Sequence, residues 1–171
     1  MPFPLAEGTL PDGEQALAAL VERMEPAVAH DAALVGIYSG GAWIADRLAA
    51  TLPGRHAVGY IDVSFYRDDY NRSGLKAKSR RTTLPFDVEG ATIVLVDDVL
   101  YTGRSVRAAI NELFDFGRPA TIELAVLVDR GGRELPIEPT YCGVRVAVAR
   151  ELSIALSQGE GGRLGLAVVP A

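Results

Sequence analysis

An α/β fold with a mostly parallel sheet and helices on both of its faces is predicted by three features of this 171-residue chain. Short apolar runs of strand length alternate with stretches whose apolar residues recur at helical spacing. The rhythm strand, helix, strand, helix, strand requires crossover connections, which lay helices over a parallel sheet. Glycine-bearing or acidic turns follow two of the strands at their carboxyl ends, where open sheets of this kind bind ligands. With 49% hydrophobic residues the chain is long enough for one buried core and short for two, so residues 1–171 read as a single domain. It has no internal repeat and no low-complexity linker.

Asp12, followed three residues later by Gln15, marks a helix start, and Ala16, Leu17, Leu20, Val21 and Met24 then share one helical face. Residues 33–38 are apolar, too few for a helix and rich enough for a buried strand. Ser39-Gly40-Gly41 breaks that run, and residues 42–50 read as helix until Pro53-Gly54. Residues 56–65 alternate well enough for another strand. From 66 to 83 the pattern disappears. Arg67, Arg72, Lys76, Lys78, Arg80 and Arg81 gather there against only Asp68 and Asp69. A polar, basic stretch of this length inside a compact domain is functional or mobile rather than idle. Residues 92–96 then read as a buried strand and 105–116 as a helix, stopped by Gly117 with Pro119 beyond. Residues 122–128 form a further strand, and 144–148 the last one of the sheet. After Arg150 the signals weaken to a terminal strand at most.

A net charge of −5 excludes a broad basic face, so nucleic-acid contact would need a local patch or one built across an oligomer. The single cysteine, Cys142, suits a reducing compartment and reads as a small buried residue beside a strand. Residues 1–7 lack the basic and apolar regions of a secretory signal, and no apolar run reaches bilayer length. A soluble, cytoplasmic protein is expected. His30 and His56 lack metal-ligand spacing, no Ser-His-Asp or Cys-His arrangement suggests itself, and Trp43 reads as core or interface.

The most informative stretch is Ile93-Val94-Leu95-Val96-Asp97-Asp98-Val99-Leu100-Tyr101-Thr102-Gly103-Arg104-Ser105. An apolar strand ends in two carboxylates, and a small hydroxyl-bearing turn then opens a helix. The carboxylates can grip sugar hydroxyls or a cation, and the turn offers N–H groups to a phosphate at a helix N-terminus. Adjacent acids repel one another, and a site that tolerates this offers them a cation or a polyol. A strand ending in Asp also describes a nucleotide hydrolase, which the phosphate loop tests. Gly36 to Gly41 has the right glycine spacing, but Ala42-Trp43 stands where that loop requires Lys and then Ser or Thr. The hydrolase reading fails.

The signature resembles that of type I phosphoribosyltransferases for phosphoribosyl pyrophosphate (PRPP). Further segments narrow the resemblance: Asp62-Val63-Ser64-Phe65-Tyr66-Arg67-Asp68-Asp69 before it, Gly117-Arg118-Pro119 and residues 125–137 after it. The last of these includes Asp129-Arg130-Gly131-Gly132-Arg133-Glu134-Leu135-Pro136-Ile137. Together they resemble the PyrR family, described as bifunctional pyrimidine operon regulators and uracil phosphoribosyltransferases, from about Leu34 to Gly143. One departure stands out. Well-known members carry a Thr-Arg-Gly-like sequence where this chain has Ser39-Gly40-Gly41, which removes a direct charge partner for pyrophosphate.

The resemblance implies a type I phosphoribosyltransferase fold with a small hood built from N- and C-terminal segments, and a mobile loop over 66–83 carrying Arg67, Lys76, Lys78 and Arg80. It implies that Asp97 and Asp98 are catalytic, holding the ribose hydroxyls of PRPP. Tyr101, Thr102, Gly103, Arg104 and Ser105 would wrap the 5′-phosphate, and Val99, Leu100 and Arg81 would also belong to the PRPP site. Ser39, Gly40 and Gly41 would meet the pyrophosphate, which Mg²⁺ also neutralises with no firm protein ligand of its own. Asp129, Arg130 and Arg133 would lie near the base-binding hood. The implied reaction is uracil plus PRPP to UMP and pyrophosphate, in a homodimer or higher homo-oligomer. Two alternatives stay open: an RNA-binding regulator that senses PRPP or UMP on pyrimidine-leader mRNA and catalyses little, and transfer to another base.

Overall fold

The computed structural model describes residues 10–64 and 81–171. In chain order they form α1 (Gly13–Met24), β1 (Ala33–Ile37), α2 (Gly40–Thr51), β2 (Val58–Ile61) and β3 (Thr92–Leu100). Then follow α3 (Arg104–Phe116), β4 (Thr121–Asp129), β5 (Tyr141–Arg145), β6 (Leu152–Gln158) and β7 (Leu164–Pro170). Strands β1 to β5 make one sheet in the order β2-β1-β3-β4-β5, and every neighbouring pair is parallel. β6 and β7 pair separately as an antiparallel hairpin.

Because each parallel strand is covered on both faces, its alternate side chains feed two cores. One core gathers Leu17, Leu20 and Met24 of α1 and Ile44 and Leu48 of α2 against Leu34, Val94, Val96 and Leu127. Ile154 and Leu164 of the hairpin close that side. The other packs Val106, Ala109 and Leu113 of α3 against Ile37, Ile61, Ile93, Leu95 and Val126. Asp12 caps α1, its carboxylate accepting the Glu14 N–H at 3.3 Å, and Ala16, Leu17, Leu20 and Met24 are buried as their spacing predicts. Val21 sits at the edge of that face, half-buried. Trp43 is partly buried against the first core, and Cys142 is buried on β5.

Several elements differ from expectation, each for a physical reason. β2 spans only four residues, since its pairing with β1 runs from Leu34↔Val58 to Ile37↔Ile61 and no further. β3 continues through both aspartates to Leu100 because β4 keeps register with it as far as Asp129. β5 occupies 141–145 rather than 144–148. There β4 sets the register through Ala125↔Tyr141, and Gly143 lies where a Cβ would come within 2.6 Å of the Ala16 carbonyl of α1. A strand glycine often marks such an approach. The tail holds two strands, not one. Their hairpin docks on the body through Glu14, which accepts from Leu164 N–H at 2.8 Å, and through Arg47, which donates to Gly162 O at 3.2 Å. Such contacts link residues about 115–150 apart in sequence, beyond the reach of any local pattern.

Residues 1–9 and 65–80 lie outside the described residues, and with them Arg67, Lys76, Lys78 and Arg80. No described helix is long and apolar enough to cross a membrane.

Candidate active site

The carboxyl ends of β1, β3, β4 and β5 lie side by side, and the turns that leave them carry most of the residues singled out by sequence. β1 leads straight into α2 through Tyr38 and Ser39, and the Tyr38–Ser39 peptide is cis. Tyr38 stacks on Tyr60 of β2, ring centroids 5.4 Å apart. The Tyr60 hydroxyl donates to Asp46 of α2, and that hydrogen bond, with burial, pushes the phenol up to about 12.

Gly40 and Gly41 are the first residues of α2 rather than a loop before it. Both are needed for close packing, not for an unusual backbone. A Cβ on Gly40 would come within 2.5 Å of Asp98 Oδ2, and one on Gly41 would overlap the Val96 carbonyl. The helix N-terminus therefore lies directly against the end of β3. There its unpaired N–H groups and positive dipole end favour an anion.

Successive residues of a strand point to opposite faces, and Asp97 and Asp98 accordingly diverge. Asp97, almost fully buried, lines a cavity of about 140 Å³ together with Tyr101, Thr102, Gly103 and Ser105. Asp98 turns the other way, against Gly40. Each acid is anchored by the next backbone N–H: Asp98 N donates to Asp97 Oδ1 at 2.9 Å, and Val99 N to Asp98 Oδ1 at 2.8 Å. The pair thus straddles the strand end, one carboxylate for each of two helix N-termini. The side chains of Val99 and Leu100 pack into the cores.

Gly103 caps α3 in the left-handed conformation, φ +93°, and Arg104 begins the helix. The Thr102 hydroxyl accepts the Arg104 N–H at 3.2 Å, and Arg104 Nε pairs with Glu134 at 2.9 Å. Arg81 is exposed, two residues before Thr83, which bridges to Tyr60.

Asp129, Arg130 and Arg133 are not the exposed turn residues that charge at a loop usually signifies. Asp129 is the buried last residue of β4, and Arg130 is buried beside it. Burial pushes the Asp129 carboxyl up, but the Arg133 hydrogen bond, the Gly131 N–H and the charges of Arg133 and Arg145 together outweigh it and hold the group below its ordinary value. Both arginines reach Asp129 Oδ2 at 2.8 Å. Arg130 places its guanidinium 3.9 Å from the Tyr101 ring centroid and donates to Leu152 O at 2.8 Å and Ala149 O at 3.2 Å. These groups and Val146 to Val148 border an opening of about 320 Å³. Arg145 and Glu138, which joins the arginines at 3.6 and 3.7 Å, gave no local sequence signal of membership in this cluster.

The parallel sheet carries an acidic pair at its strand ends, flanked by two helix N-termini and a charged wall, and the family model described as phosphoribosyl transferase domain matches residues 12–150. The chain is 58% identical to the "Bifunctional protein PyrR" of Ralstonia nicotianae over 85% of this chain and 83% of that one. It is 48% identical to the protein of the same name from Pseudomonas paraeruginosa, over 71% and 72%. Among solved structures, purine phosphoribosyltransferase from Pyrococcus horikoshii is similar at TM-score 0.58 with 26% identity, covering 78% of this chain and 82% of that one. A hypoxanthine-guanine phosphoribosyltransferase from Bacillus anthracis shares the fold at TM-score 0.61 with 15% identity, over 82% of each chain. The chain belongs to the PyrR family of phosphoribosyl transferase domain proteins.

Proposed function

We propose that the chain transfers the phosphoribosyl group of PRPP to uracil, giving UMP and pyrophosphate. The observation that carries this reading is the divided acidic pair, with Asp97 beside the α3 turn and Asp98 against the α2 turn. A sugar seated between them has a 5′-phosphate site on one side and a pyrophosphate site on the other. Tyr101, Thr102, Gly103, Arg104 and Ser105 receive the 5′-phosphate on backbone N–H groups, and Ser39, Gly40 and Gly41 receive the pyrophosphate. Asp97 and Asp98 hold the ribose hydroxyls. As the bond to pyrophosphate lengthens, positive charge grows on the sugar, and fixed carboxylates stabilise it without reorganising. Holding base and sugar in line supplies much of the remaining acceleration, with no covalent intermediate.

Asp97 and Asp98 face opposite sides of the strand end and do not chelate one ion together, so the site fits a Mg²⁺ that takes its ligands from PRPP oxygens and water. Mg²⁺ bound to PRPP supplies charge neutralisation on the leaving group. The opening bordered by Asp129, Arg130 and Arg133 lies beside the phosphate turn and takes the base, with the C-terminal hairpin as hood over a single domain. The family's relatives are bifunctional by name, which favours a second reading beside catalysis: UMP-dependent binding of pyrimidine-leader mRNA by a homo-oligomer in the cytoplasm.

Incubation with labelled uracil, PRPP and Mg²⁺ should yield UMP. Asp97→Asn combined with Asp98→Asn should lower the rate by ~100-fold or more, the scale on which fixed electrostatic groups act. Equal rates would overturn the assigned roles, and preference for hypoxanthine over uracil would reassign the base. RNA binding that weakens with salt and strengthens with UMP supports the second reading.

A further inference from the structure

The turn after β3 can receive a phosphate only if its peptide planes are held so that their N–H groups converge. Three successive carbonyls of that turn are tied to the segment that follows β4. Leu100 O accepts the Arg130 N–H at 3.0 Å. Tyr101 O accepts Arg133 Nη1 at 3.0 Å. Thr102 O accepts the N–H groups of Glu134 and Leu135, at 3.0 and 3.1 Å. In a planar trans peptide the C=O and the next N–H point in opposite directions. Pinning these oxygens toward residues 130–135 therefore aims the N–H groups of Tyr101, Thr102 and Gly103 away from that segment. A row of donors results, continued by the first turn of α3.

Of these three ties, two use backbone N–H groups that any residue except proline provides. The middle one depends on a single side chain. Arg133 also donates from Nε to Ile137 O at 2.6 Å and from Nη2 to Asp129 Oδ2 at 2.8 Å, so every nitrogen of its guanidinium is committed to a different segment. The ionised Asp129 carboxylate is itself held by Gly131 N at 3.0 Å and by Arg145. Ile137 packs against Gly103, where a Cβ would meet Ile137 Cγ1 at 3.0 Å. Arg133 thus stands between the end of β4, the loop that backs Gly103, and the middle peptide of the phosphate turn. A lysine keeps the charge but cannot donate in three directions from a rigid plane.

We propose that Arg133 is a positioning residue for the 5′-phosphate, acting through the Tyr101 carbonyl rather than touching the ligand. This deepens the phosphoribosyltransferase reading and rests on it. The arrangement locates its effect: ligands that carry a 5′-phosphate depend on Arg133 more strongly than ligands that lack one, which meet it only at the border of the base opening.

The test compares wild type with Arg133→Lys and Arg133→Gln in the full chain, using calorimetric titration of UMP, ribose 5-phosphate and uridine, with steady-state kinetics alongside. For Arg133→Gln the dissociation constants of UMP and ribose 5-phosphate and the KM for PRPP should rise by about tenfold or more, the scale of one charged hydrogen bond. Uridine affinity should fall several-fold less than that of UMP, since Arg133 only borders the base opening, and kcat should fall less than kcat/KM. Arg133→Lys, which keeps the charge beside Asp129, should fold as wild type and still lose phosphate affinity. Unchanged phosphate binding in both variants overturns the proposal, and so does equal weakening of UMP and uridine, which marks a merely structural role. Wild-type protein that binds neither UMP nor ribose 5-phosphate overturns the functional reading and this proposal together.

Discussion

A methyl group at residue 40 would sit 2.5 Å from a carboxylate oxygen of Asp98 and 2.9 Å from its Cβ. The backbone at Gly40 is unstrained, so the requirement for glycine comes from crowding alone. Gly40→Ala should push α2 and the end of β3 apart, costing about 1–3 kcal/mol and lowering transferase activity more than tenfold. In an Asp98→Ala background the same substitution should cost measurably less stability, since contacting residues couple. Urea titrations of the four proteins would show additive losses if the contact is unimportant. The glycines and the acids were both legible in the sequence, but their mutual contact was not. Residues 40 and 98 are joined only by the crossover that brings β1 beside β3, and the split of the acidic pair across the strand needed β3 to run on past them. Asp129, Arg130 and Arg133 were legible as candidates near the base, but the burial of Asp129 and Arg130 was not. Nothing local revealed that Arg145 and Glu138 enclose them.

At the scale of elements, the periodic ones were read well and the short or displaced ones poorly. α1, β1, α3 and β4 declare themselves through apolar spacing and cap residues, whereas β5 takes its position from β4 and so has little signal of its own. α3 shows how an element and a site share one device. Its start is fixed by Gly103 at φ +93°, a region that costs other residues about 1–2 kcal/mol, and Ile137 fills the space a side chain would need. Gly103→Ala should therefore lower the unfolding free energy by at least that amount. It should also weaken UMP and ribose 5-phosphate binding, because the N–H groups of the first turn are displaced with the cap. Thermal unfolding and calorimetry on one variant check both effects, and a stable protein with intact phosphate affinity would contradict the assignment of this turn.

Across the whole molecule, Glu14 joins three parts that local sequence leaves unconnected. From α1 it accepts from both terminal nitrogens of Arg47 on α2, at 3.0 and 2.7 Å, and from Leu164 N–H at the start of β7. The Arg47 hydrogen bond, then that of Leu164, lowers the Glu14 carboxyl from its ordinary 4.5 to about 2, although burial opposes the change. A carboxylate lowered on folding stabilises the native state fully above its unfolded value, and that contribution fades as pH falls toward the folded one. The window for Glu14 is therefore about pH 4.5 down to about 2. Wild-type protein should lose stability across it more steeply than Glu14→Gln, and the two curves should converge toward the acid end. Because Arg47 is partly exposed, high salt should shrink the difference. Denaturant titrations at a series of pH values would read this directly. Parallel curves for the two proteins between pH 5 and pH 2 would show that the joint between α1, α2 and the C-terminal hairpin does not depend on this charge.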